Sequence, residues 1–134
     1  MDLQNQKVME MESVVMNESS QEEQMVIDFE LTRYVNDSLN VANRLIGEAE
    51  EMIEKAEDEE GAKAAGIRAV EAWMVLNSAA VIGTRINAQK LLKSIRMSRN
   101  KIMAMGAALQ KCGFMLQDTK ESSMLFLRAS PQVK

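Results

Sequence analysis

Histidine is absent from the chain, cysteine and proline occur once each (Cys112 and Pro131), and the aromatic residues are only Phe29, Tyr34, Trp73, Phe114 and Phe126. Each scarcity excludes something. Without histidine, neither a mixed Cys/His metal site nor the Glu-x-x-His motif of a di-metal helical bundle can be assembled. Acid–base chemistry would fall to carboxylates, Lys, Tyr or Cys. One cysteine cannot close an intramolecular disulfide. The N-terminus lacks a basic segment followed by an apolar core, so it does not read as a secretory signal. A cytoplasmic location is the expectation, with export through a route that reads a disordered N-terminus left open. The most apolar stretch, residues 69–83, is interrupted by Glu71, Asn77 and Ser78 and falls short of the roughly 20 residues of a bilayer span. No transmembrane segment is expected.

What is abundant points to helix. Of 134 residues, 46% are apolar, a proportion and size that suit one domain. Met, Ala, Leu, Ile and Val dominate that set, a mixture that favours helix over sheet. Charge is divided along the chain. Residues 1–60 hold 17 acidic and 4 basic side chains, whereas residues 61–134 hold 3 acidic and 12 basic. No acid lies between Glu71 and Asp118, a stretch that contains Arg85, Lys90, Lys93, Arg96, Arg99, Lys101 and Lys111. One reading is that the acidic half folds back on the basic half, since charge patterning sets helix pairing and register. The other is that the basic segment faces an external polyanion.

Residues 1–18 contain too few large apolar side chains for a buried face and read as a disordered acidic and polar tail. Ser19 and Ser20 each precede a glutamate by three residues, the pattern of a capping box, so a helix is predicted over about 20–57. Within it Val35, Leu39, Ala42, Ile46, Ala49, Ile53 and Ala56 alternate at spacings of 4 and 3, a heptad seam in which alanines allow close approach. The acidic run ending at Gly61 predicts a turn at about 57–61, with Gly61 as the breaker. Beyond it Ile67, Val70, Met74, Asn77, Val81, Thr84, Ala88, Leu91, Ile95, Ser98, Ile102, Met105, Leu109, Cys112 and Leu116 keep the same alternation, predicting a long helix over about 62–112, bent at Gly83 or Gly106. Asn77, Thr84 and Ser98 are polar seam positions of the kind that fix register. The hairpin domain thus spans 19–116, and 117–134 reads as a loosely ordered tail in which Met124 to Leu127 are apolar enough to add a short strand or helix.

The predicted fold class is therefore all-α: a long antiparallel helical hairpin, coiled-coil-like, completed by oligomerisation. The second arm outruns the first, which leaves Leu91, Ile95, Ile102, Met105 and Leu109, with Trp73 on an adjacent stripe, as the expected oligomer or partner interface. Twelve methionines, among them Met97 and Met103, suit either core filling or an adaptable surface. No constellation suggests catalysis. Glu48, Glu50, Glu51 and Glu54 read as a solvated face, Cys112 as a small apolar seam residue, and the glycines match no phosphate loop. No cofactor, metal or catalytic residue is expected. The function read from the sequence is a non-enzymatic, self-associating interaction module, an adaptor, scaffold or chaperone-like protein. The alternative is non-specific nucleic-acid binding through Arg85, Lys93, Arg96 and Arg99, which cluster on one side of a helical wheel.

Overall fold

The computed structural model describes residues 3–119 and 123–130, with side chains from residue 21 onward, and is mostly helical. Four helices, α1 (Leu3–Lys55), α2 (Glu59–Arg85), α3 (Gln89–Ala104) and α4 (Gly106–Lys111), precede two strands, β1 (Phe114–Thr119) and β2 (Met124–Ala129). Helix is already present from Leu3 onward, so the chain does not wait for the capping box at Ser19 and Ser20. The segment read as a tail over 1–18 is thus helix from Leu3; residues 1 and 2 lie outside the described part.

The break between α1 and α2 occupies residues 56–58, and Gly61 is not the breaker. Asp58, in extended backbone conformation, is the N-cap of α2, and its carboxylate accepts a hydrogen bond from the Gly61 N–H at 2.8 Å. Glu59 and Glu60 follow in the first turn, where the partial positive charge of the helix terminus favours them. The acidic run therefore opens α2.

α1 and α2 pack along a face of small side chains. On α1 the buried residues are Val35, Leu39, Ala42, Leu45, Ile46 and Ala49, with Ile53 half-buried against them. On α2 they are Ala62, Ala65, Ala69, Ala72, Leu76 and Ala79, again spaced by 3 and 4, and all six are fully inaccessible. This is a different face from the one predicted. Ile67, Met74 and Val81, expected in the seam, are 45%, 53% and 70% exposed. Weighting periodicity by side-chain size selects the large residues, but a close helix pair buries its alanines and leaves large side chains outside.

The predicted continuous helix over 62–112 is broken twice. Asn87 has φ 55°, the Ala88 N–H donates to the Gly83 carbonyl at 2.9 Å and the Asn87 N–H to the Thr84 carbonyl at 3.1 Å. That is a Schellman ending with asparagine in the left-handed position, a role its short polar side chain tolerates. Gly83 lies within α2 and is buried, and a Cβ there would stand 3.1 Å from Leu92 Cδ2. The second break is at Met105, beside Gly106. Because α2 stops at Arg85, α3 folds onto both α1 and α2. Ile95 and Ile102 of α3, with Met105 just past its end, then join the core.

The segment read as a loose tail over 117–134 is a strand pair where it is described; residues 120–122 and 131–134 lie outside the described part. Gly113, at φ 91°, ends α4 and starts β1. β1 and β2 run antiparallel, with Leu116 opposite Leu127 and Asp118 opposite Leu125. Leu125 is buried in the core, and Leu127 meets Gly66 of α2 so closely that a Cβ at Gly66 would lie 2.6 Å from its Cδ1.

Candidate functional site

The residues expected to form a partner interface are core residues of the single chain. Ile102 and Leu109 are fully buried, Ile95, Met105 and Trp73 are 1%, 5% and 6% exposed, and Leu91 is half-buried against the same core. The distal seam that lacked a partner in a two-arm hairpin finds one when α3 folds back. In this fold those side chains therefore pack within the single chain.

The basic residues divide. Arg85, Lys93 and Arg96 are exposed, but Arg99 turns inward. Its Nη2 donates to Asn77 Oδ1 at 2.6 Å, and its guanidinium lies 5.3 Å from the Trp73 ring centroid, within the range of a cation–π contact. Trp73 Nε1 and Asn77 Nδ2 both donate to the Ser123 carbonyl, at 2.8 and 2.7 Å. Ser123 has φ 55°, so the strand connection presents that carbonyl to α2. Burial pushes the Arg99 guanidinium below its ordinary pKa, and the charge of Asp118 partly opposes this. Arg99 thus joins α2, α3 and the strand pair, and leaves the polyanion set. The signal for this node was Trp73, a large aromatic with a polar tip that needs an acceptor once buried.

What remains of the basic face is still substantial. Lys90, Lys93, Arg96 and Lys101 are all exposed on α3 around Met97, which is 57% exposed, and none of the ion pairs among the described residues involves them. The one inter-helix ion pair among the described residues joins Arg68 of α2 to Glu48 of α1 at 3.6 Å. Among the described residues, charge complementarity between the two halves of the chain thus contributes a single ion pair between helices. A neutral polar contact joins α3 to α1: Ser98 Oγ donates to Asn43 Oδ1 at 2.7 Å.

The opposite character is found at the other end of the bundle. Among the described side chains of α1 the first buried one is Val35, while the helix itself extends back to Leu3, about 48 Å further at 1.5 Å per residue. On the described side chains of this arm Met25, Val26, Ile27 and Phe29 are 71%, 64%, 49% and 67% exposed. Glu22, Glu23 and Glu30 stand exposed among them.

No cluster of three or more His, Cys, Asp or Glu side chains placed to hold a metal ion is present among the described residues. Cys112 is half-buried and, with Lys111 and Gly113, borders the acidic connection at Glu57, Asp58 and Glu59. By length and composition α2 is long and apolar enough to cross a membrane, beyond what the interrupted 69–83 stretch suggested. In the fold its alanine face is enclosed by other elements, as in the core helix of a bundle. Comparison with protein-family models, with curated proteins and with solved structures finds no match to the chain.

Proposed function

We propose that the chain is a non-enzymatic helical interaction module, an adaptor or scaffold that self-associates in coiled-coil fashion through the arm of α1 that projects past its bundle. The observation that carries this reading is the arm itself: Met25, Val26 and Phe29, more than three-fifths exposed, on the part of α1 that precedes its first buried described residue, Val35. Isolated helices are marginal in water, and most helical stability in proteins comes from packing an amphipathic face. Exposed apolar surface of this kind marks partner sites, and Ile67, Met74 and Val81 on the outer face of α2 extend the apolar surface open to association. A cytoplasmic setting accords with this reading. Hydrogen exchange across a dilution series tests it. Amides over 21–34 are expected to gain protection as concentration rises while those of α2 stay constant. Concentration-independent, rapid exchange in the arm refutes self-association there.

A second reading has its own observation, the unpaired cations of α3. Lys90, Lys93, Arg96 and Lys101, with Arg85 at the end of α2, suit non-specific binding of nucleic-acid phosphates. Affinity for a DNA duplex should then fall steeply with salt and survive Arg99→Gln.

A further inference from the structure

We infer that the basic outer face of α3 is the receptor for the acidic α1 arm of a second copy of this chain, so that two copies exchange arms reciprocally. The inference rests on the proposed role of the arm and adds the surface that receives it. On α3, Lys90, Lys93, Met97 and Lys101 follow one another at helical spacings of 3, 4 and 4, an exposed methionine framed by lysines. On the arm, Glu22, Met25, Val26 and Phe29 share one face at spacings of 3 and 4, and Glu23 and Glu30, seven residues apart, line its edge. Each surface has an apolar centre, and their frames are opposite in charge. The arm holds four acids, Glu22, Glu23, Asp28 and Glu30, against one base, Arg33, over residues 21–34. No acid lies between Glu71 and Asp118 to compete for the lysines.

The proposed contact is made between molecules. α1 is one uninterrupted helix from Leu3 to Lys55, anchored in the bundle from Val35 onward, and none of the ion pairs among the described residues joins its arm to the α3 of the same chain. An arm and a receptor on each copy make a two-fold exchange the closed arrangement, in which both contacts form twice without leaving either surface open. Charge pairs at such a surface set partner choice and are weakened by salt.

The experiment is a charge exchange read by light scattering on the full chain at low salt. One variant carries Lys90→Glu, Lys93→Glu and Lys101→Glu; the other carries Glu22→Lys, Glu23→Lys and Glu30→Lys. Each alone presents like charges on arm and receptor and is expected at the monomer mass of 15.0 kDa. Mixed in equal amounts, acidic arm meets basic face and basic arm meets acidic face, and the doubled mass of the wild type should return. If either variant retains the wild-type mass, or the mixture stays monomeric, the exchange is overturned. Phe29→Asp separates the two ideas. Should it abolish association while the charge variants do not, the arm still drives assembly and only its receptor has been misassigned; should it change nothing, the arm reading falls too. If the lysine variant loses binding to a DNA duplex and keeps its mass, α3 serves phosphates and the exchange is likewise overturned.

Discussion

Three residues show how position in the fold decides what a side chain contributes. Gly47 sits in α1 with nothing within 4 Å of a would-be Cβ, so Gly47→Ala should stabilise the protein by about 0.5–1 kcal/mol through backbone entropy alone, seen as a higher urea midpoint. Gly66 has the opposite constraint. A Cβ there would run into both terminal methyls of Leu127, at 2.6 and 2.8 Å, so the helix-propensity gain of Gly66→Ala is opposed by overpacking of about 1–3 kcal/mol. Made on Leu127→Ala, the same change should become favourable, and a double-mutant cycle measures that coupling. Trp73→Phe keeps a ring beneath Arg99 but deletes the donor to the Ser123 carbonyl. Because Asn77 still serves that carbonyl, a loss of about 1 kcal/mol is expected, with faster amide exchange in β1 and β2.

Among the elements, α2 is the centre of the fold, and its two faces should respond to substitution in opposite ways. Ala69→Leu or Ala72→Leu forces a large side chain between α1 and α2, where both alanines are fully buried, and is expected to cost about 1–3 kcal/mol or more. Val81→Ser, on the exposed outer face, should stay within about 0.5 kcal/mol in the monomer. Urea denaturation of each variant decides between this arrangement and one in which the large residues form the seam. The contrast also marks what could be read in the sequence. The helical character of the chain, the packing face of α1 and the inward positions from Ile95 on α3 to Leu109 on α4 were legible from spacing. The face of α2 was not, since two interleaved 3,4 patterns run along it and the alanine one carries less apolar area. The Asn87 ending was not legible either, because it depends on a left-handed backbone that asparagine permits without requiring. That single turn converts one long arm into α2 and α3, and so turns a predicted interface into core. Of the candidate basic site, Arg85, Lys93 and Arg96 kept their exposure; Arg99 did not, because Trp73 and Asn77 face it across α2 and α3.

For the whole molecule, the division of charge has no folding role that the ion pairs reveal, and it is most simply understood as a property of surfaces that meet something else. On the proposed reading, association between copies is what brings the acidic, apolar arm to the basic face of α3. The central claim is that the α1 arm makes this chain self-associate, and the most direct test is the solution mass of nuclease-treated protein, compared with Phe29→Asp at the same concentrations. The wild type should exceed its 15.0 kDa monomer and rise with concentration, while Phe29→Asp should remain monomeric with unchanged helical content. A wild type that stays at the monomer mass at every concentration would contradict the account.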